Sequence, residues 1–446
     1  MQLNVSSAPL VAGVEVSIGH VAVPGQTSVR LPSTVLFGSG TIDHLGSLVS
    51  GEGCRRALVC SDPGVSGTPA FDRAMHELAR AGITIHTYLR TPVDVPVESV
   101  LECVDDVSSA NVDVVVGIGG GSVIDLAKLA ALLLSHPREL TDYYGENQVP
   151  APCLPVIAVP TTAGTGSEVS PVAVLSDPAR RMKVGVASRF LIPRAAICDP
   201  QLTLSCPAMT TAYAGIDALV HAVEAYTAGR QTTTWEEYPG PVFRGKNDFS
   251  DLHALTAIRM IHAALKRAVS HGDDLDARTM MLFGSLSAGI AFAQAGTAGA
   301  HALQYPIGAT TSTPHGLGVG LLIPYVLDFI CPAAERELAI IGRTMGVCDE
   351  QASNAESASR TIEEIAQLAL AVGVPGSLAE LGISELDLLR IADDASTISR
   401  LVDNSPRKLD RDALIEILRA AWSGERTSRG RRVDIKPSEL AQKDPV

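Results

Sequence analysis

Residues 113–135 read DVVVGIGGGSVIDLAKLAALLLS, and this stretch decides the fold. DVVVGIG is a continuous apolar run without polar alternation, the mark of a strand buried on both faces as in a parallel sheet. SVIDLAKLAALLLS follows at once as a helix, with three glycines and a serine at the junction. Working outward, ALVCS at 57–61 reads as a strand, FDRAMHELARAG as a helix ended by Gly82, and ITIHTYL as the next strand. VESVLECVDDVSSAN is then a helix, and downstream PVIAVPTT returns as a strand. Such strand–helix–strand units imply a parallel, doubly wound α/β sheet of Rossmann-like type with right-handed crossovers.

Beyond about residue 205 the pattern changes. TTAYAGIDALVHAVEAYTA, DLHALTAIRMIHAALKRAV, ARTMMLFGSLSAGIAFAQA, AERELAIIGRTMG and TIEEIAQLALAVG all carry apolar residues at helical spacing. At 446 residues the chain is too long for one ordinary core. The expected division is an α/β domain over 1–204, an all-helical domain over 205–425 and a polar tail over 426–446. Pro200 and Pro207 punctuate the boundary.

Composition narrows the function. A net charge of -14 argues against general nucleic-acid binding, which needs a basic face. The eight cysteines form no CxxC pair, which suits a reducing cytoplasm. The N-terminal MQLNVSSAPLVAG lacks the basic and apolar regions of a signal peptide. The richest apolar run, GLLIPYVLDFI, is broken by Pro324 and Asp328, so no membrane span is expected.

Two turns carry the first chemical signal. Gly119, Gly120, Gly121 and Ser122 end a strand and open a helix, where backbone N–H groups and the helix N-terminus can meet a phosphate. Pro160 to Glu168, PTTAGTGSE, is a second small-polar turn after the neighbouring strand. Two such turns at the carboxyl ends of adjacent strands mark the ligand crevice of an open α/β sheet and together point to a nucleotide, although either alone could be a simple strand-to-helix turn. Asp62 ends the first strand of this half. It can hold ribose hydroxyls and repel a 2′-phosphate, favouring NAD over NADP, or it can simply form a turn before Pro63.

The second signal is a set of potential metal ligands. Asp217 and His221 stand four apart in GIDALVHAVEAY, on one helical face. His301 and His315 follow, fourteen residues apart, in AGAHALQYPIGATTSTPHG. One carboxylate and three imidazoles can hold a divalent metal, Fe²⁺ or Zn²⁺, and leave a position open for a substrate oxygen.

These residues, with LFGSG, GGGSVIDLAK, PTTAGTGSE and DPQLT in this order, resemble the iron-containing (group III) alcohol dehydrogenases over about residues 30–420. The resemblance implies an NAD(H)-linked, metal-dependent oxidoreductase acting on a small alcohol or aldehyde in an interdomain cleft, as a homodimer or larger homo-oligomer. It puts Asp217, His221, His301 and His315 on the ligand positions and Gly119–Ser122 on the pyrophosphate loop. Asp125, Thr161, Thr162, Thr165 and Lys183 fall on further cofactor-contacting positions. Where the family commonly carries a second histidine, this chain has Tyr305, which can relay a proton or wall the pocket. Segment 230–252 looks longer than a minimal connection. Trp235, Tyr238 and Phe243 would shape an entrance there and Arg244 or Lys246 would meet an anionic tail, unless the segment is a surface loop or subunit contact. The rival functions are a hydroxyacid-oxoacid transhydrogenase with tightly held nicotinamide and a lyase resembling dehydroquinate synthase.

Overall fold

The computed structural model describes residues 27–180, 182–230 and 240–426. Its strands all precede residue 199: β1 (Thr34–Phe37), β2 (Arg56–Cys60), β3 (Thr84–Tyr88), β4 (Val114–Gly119), β5 (Gly145–Glu146), β6 (Val156–Pro160), β7 (Val172–Asp177), β8 (Met182–Ala187) and β9 (Ala195–Cys198). Interleaved are α1 (Leu45–Gly51), α2 (Pro63–Ser66), α3 (Pro69–Arg80), α4 (Val97–Asp106) and α5 (Gly121–Ser135). Six strands make one wholly parallel sheet in the order β1-β9-β6-β4-β2-β3.

The apolar run at 113–119 becomes β4, buried at every position. Two layers cover it. Val115 packs with Leu58, Cys60 and the α4–α5 residues Val100, Leu126 and Leu129. Val114, Val116 and Ile118 face Ala57, Val59 and the α1–α3 residues Leu45, Phe71 and Leu78. Each such side chain removed from water is worth about 1.5–3 kcal/mol, so the strand's register is strongly fixed.

β3 lies outside β2, whereas β4 returns to the other side of β2. The sheet therefore reverses direction between β2 and β4, and the carboxyl ends of these strands open a crevice. Asp62 and the Gly119–Ser122 turn flank it.

A second sheet, β5-β8-β7, is absent from the strand–helix reading of the sequence. β7 and β8 pair antiparallel, and β7 alternates buried and half-buried positions, as a one-sided ribbon must.

From residue 208 the described residues form no strand of either sheet. α6 (Ala208–Thr227), α7 (Asp248–Ser270), α8 (Leu275–Ala295), α9 (Gly299–Thr311), α10 (His315–Met345), α11 (Asn354–Ala371), α12 (Asp387–Ser396), α13 (Ser399–Val402) and α14 (Arg411–Ser423) pack around one apolar core. Pro324 and Asp328 break the apolar run but not the helix. α10 continues through Pro324 and Pro332 and departs from helical geometry only at Ala334 (φ -129°, ψ 20°). By length and composition (mean hydropathy 1.8) α10 could cross a bilayer, but 83% of that window is buried inside the fold. It is a core helix, packed against α6, α9 and α11.

Candidate active site

α6 presents Asp217, His221 and Glu224 at i, i+4 and i+7, on one face. α9 supplies His301, and the chain then turns through Ser312 in the left-handed region (φ 55°) so that His315 opens α10. The glycine after His315 has a steric cause. A Cβ on Gly316 would lie 2.0 Å from the Tyr213 carbonyl oxygen, so only glycine lets α10 start so close to α6.

Asp217 Oδ1 is the hub. It lies 3.8 Å from His221 Nε2, 3.7 Å from His301 Nε2 and 3.8 Å from His315 Nε2. The ligand atoms of Asp217, His301 and His315 all lie within 4.8 Å of one another; His221 adjoins them through Asp217. Separations of 3.7–3.8 Å are too long for hydrogen bonds. Asp217 Oδ1 and His301 Nε2 are buried without a partner, at a cost of ~1–3 kcal/mol each. A divalent ion removes that penalty: ligands held at metal-bond length around a tetrahedral ion stand roughly 3.3–3.6 Å apart. The residues present therefore fit the implied metal. The His315 side chain is 26% exposed against 4% for Asp217 and His301, and marks the open side of the cluster.

Burial lowers His221 to about 4 and His315 to about 3, leaving both imidazoles neutral, the state a metal ligand needs. Burial opposes ionisation of Asp217, but the surrounding histidines outweigh it and hold the carboxyl below its ordinary range. Burial also opposes protonation of His301, yet Glu224 and Asp217 raise it to about 9. Glu224 is the functional residue sequence reasoning missed. It accepts from His301 Nδ1 at 2.6 Å and from the Ala298 and Ala300 N–H groups at 2.8 and 2.7 Å. It thereby fixes the ring so that Nε2 points at Asp217. Its signal was present as the third member of the Asp217–His221 face.

The nucleotide side is built by close packing of the two turns. Gly120 caps α5 with no side-chain hydrogen bond, leaving the first-turn N–H groups without a side-chain acceptor. A Cβ on Gly121 would meet Thr165 Cγ2 at 2.4 Å, and Gly120 lies against Thr162. Thr161 is buried at the end of β6, its N–H donating to the Gly119 carbonyl at 3.0 Å. A phosphate cradle of bare backbone at a helix N-terminus fits the implied dinucleotide.

Asp125 borders the same cavity, but its oxygens are engaged. It accepts from Ser167 Oγ at 2.5 Å and from the Val174 N–H at 3.0 Å, bracing the second turn and β7 against α5. Lys183 Nζ pairs with Asp94 Oδ1 at 2.5 Å, and the Asp94 N–H donates to Ser122 Oγ at 3.3 Å. Asp94 and Val95 both adopt positive φ (66° and 48°), a strained conformation for a β-branched residue. No sequence pattern marked this strap. Beneath it, fully buried Lys128 donates to the Ser170 and Val172 carbonyls at 3.0 and 2.8 Å.

Asp62 behaves first as a turn former: Oδ1 accepts from the Gly64 and Val65 N–H groups and caps α2. Tyr305 is buried in the cavity wall with its ring 6.1 Å from that of His315. Burial raises its phenol pKa, so its hydroxyl keeps its proton at neutral pH. Of segment 230–252, Trp235 and Tyr238 lie outside the described residues. Phe243 lines the cavity. Lys246 does not meet the cleft. It is buried, paired with Asp251 at 2.7 Å and donating to the Tyr226 carbonyl at 2.6 Å. Arg244 is buried and also lies outside the cavity lining.

The nucleotide turn and the ligand cluster thus border one cavity of about 150 Å³. Gly121, Ser122, Thr165 and Lys183 lie on one wall; Asp217, His301 and His315 lie on the other. That pairing defines a nucleotide-linked metalloenzyme of two-domain α/β plus helical architecture. Residues 32–200 match the model of the iron-containing alcohol dehydrogenases, and residues 211–422 match the C-terminal model of the Fe-containing alcohol dehydrogenase family. The chain belongs to this family, whose members are oxidoreductases acting on CH–OH groups. Among its relatives is long-chain-alcohol dehydrogenase 1 of Geobacillus thermodenitrificans, 37% identical over 89% of this chain and 97% of that protein. Sulfoacetaldehyde reductase of Bilophila wadsworthia is 29% identical over 86% of this chain and 96% of that protein. A solved 1,3-propanediol oxidoreductase superposes with a TM-score of 0.83 at 30% identity, covering 89% of this chain and 100% of the other.

Proposed function

We propose that this NAD(H)-linked alcohol dehydrogenase uses Fe²⁺ as its resident metal and NAD in preference to NADP, and works on short aldehydes and their alcohols. The observation that carries the reading is the single cavity shared by the phosphate cradle and the Asp217–His301–His315 cluster. When bound, the metal supplies Lewis acidity toward a substrate oxygen and the nicotinamide carries the hydride.

The chain's own residues do the positioning. Asp217, His221, His301 and His315 would hold the metal, with Glu224 locking His301. Phe292 stacks on His221 at 4.5 Å and closes that side of the cluster to water. Gly119–Ser122 would hold the pyrophosphate, while Lys183 and Asp94 strap the loop above it. Tyr305 keeps a neutral hydroxyl beside His315, which supports a walling role. Support for NAD over NADP comes from Asp62, which follows β2, the strand paired with β4 and its glycine turn, and would disfavour a 2′-phosphate.

The test is NADH oxidation by Fe²⁺-reconstituted protein over a panel of short aldehydes, repeated with NADPH, with Zn²⁺ and after chelation. Turnover that survives complete metal removal would overturn the reading. Nicotinamide retained through purification, with hydride passed only between an alcohol and a carbonyl acid, would favour a transhydrogenase instead.

A further inference from the structure

The charges that border the catalytic cavity are matched, with one exception. Lys183 is neutralised by Asp94 at 2.5 Å, Asp125 is held by Ser167 and the Val174 N–H, and Asp217 is ringed by imidazoles. Arg400, on the short helix α13, lines the same cavity, yet among the described residues it makes no ion pair with a carboxylate. It stacks on an uncharged ring. The guanidinium carbon sits 4.8 Å from the centre of the Phe243 ring, and Tyr305 lines the cavity with it.

A guanidinium carries five donors in a rigid fork. Half-buried with spare donors and no anion, it is suited to pair bidentately with a carboxylate or sulfonate that enters the cavity. The position is also right. Tyr305 lines the cavity with Arg400 and has its ring 6.1 Å from that of His315, so one short chain of atoms can run from the ligand cluster to Arg400. Tyrosine at 305 is a neutral partner for that cation, whereas a protonated histidine there would repel it and compete for the same anion.

We infer that Arg400, seated on Phe243 and Tyr305, anchors an anionic group on the substrate, so that the preferred substrates are short aldehydes or alcohols ending in a carboxylate or a sulfonate. This rests on the dehydrogenase reading above, with the substrate oxygen at the ligand cluster and the anionic tail at Arg400. The anion contact acts on binding, so its signature lies in KM more than in kcat.

The experiment uses Fe²⁺-loaded enzyme with NADH and two matched aldehyde pairs: butanal with 4-oxobutanoate, and propanal with sulfoacetaldehyde. The wild type should favour the anionic member of at least one pair, and which pair does so separates carboxylate from sulfonate. In Arg400→Met the KM ratio of anionic to neutral member should rise about 10- to 100-fold, the worth of a charge-assisted hydrogen bond. Arg400→Lys should recover part of it. A readout without turnover is calorimetric binding of succinate to the NADH-loaded enzyme, present in the wild type and lost in Arg400→Met. If the wild type shows no preference in either pair, or if Arg400→Met shifts both members equally, Arg400 merely supports Tyr305 and the inference falls. The dehydrogenase reading then stands, since it requires only that some aldehyde be turned over. Silence toward all four aldehydes would overturn both.

Discussion

Glu224→Gln tests the idea that a carboxylate behind His301 holds the metal site together. The native side chain accepts three donors, from His301 Nδ1 at 2.6 Å, the Ala300 N–H at 2.7 Å and the Ala298 N–H at 2.8 Å. Glutamine matches its volume but offers one acceptor oxygen and an NH₂ group. At least one of the three N–H groups must then face another donor while buried, which destabilises the fold by about 1–3 kcal/mol. The second effect is on the ligand. A His301 ring freed from its carboxylate loses its set orientation and some basicity, and metal affinity should fall about 10- to 100-fold, or about 1.4–2.7 kcal/mol. Competition between the protein and a chelator of known affinity at pH 7 reads the loss of affinity, and urea unfolding of the metal-free protein reads the loss of stability. Metal affinity within about twofold of wild type would refute the argument. So would a loss of stability in urea with no change in metal binding, because it would make Glu224 a cap of α9 and nothing more.

The remaining expectations concern the other walls of the cavity. Asp217→Ala removes the hub shared by three imidazoles and should abolish metal retention and turnover while leaving NADH binding measurable by fluorescence; an active, metal-free variant would contradict this. Gly121→Ala drives a Cβ to 2.4 Å from Thr165, so NADH affinity should fall at least about tenfold with metal content unchanged, as followed by fluorescence titration and metal analysis. Glu168 is buried with Oε1 unpartnered, and burial raises its carboxyl from 4.5 to about 7. The folded chain therefore keeps a proton there that the unfolded chain has lost, and stability from this group falls as pH rises from about 4.5 to 7. Glu168→Gln should match wild type near pH 4.5 and exceed it by about 3 kcal/mol at pH 8; equal urea midpoints at both pH values would exclude this.

The main sheet was legible because its strands are short continuous apolar runs bounded by turns. DVVVGIG could only be a strand buried on both faces, and the glycines after it could only be a turn into α5. The helical half was equally plain from apolar spacing, as were Asp217 and His221, four apart on one helix. Other features left weaker traces. The alternation of VAVLSD signals the one-sided β7, but its pairing with β8 and β5 is a matter of long-range register. Pro324 reads locally as a break, yet packing on both sides of α10 outweighs it.

By itself, then, the sequence determined the order of elements, the two glycine- and threonine-rich turns and the candidate metal ligands, because these are read from local spacing along the chain. Only the tertiary structure decided how those groups meet. It set His301 and His315 around one oxygen of Asp217 and gave Glu224 its place behind His301. It turned Asp125 from a cofactor contact into a brace. It paired Lys246 with Asp251 away from the cleft and brought Arg400, from the far end of the helical region, to the cavity wall beside Tyr305. The physical reason is common to all of these. Whether a charge is neutralised, orphaned or free to meet a ligand depends on which partners the fold places within a few ångströms, and residues distant in sequence carry no mark of that proximity.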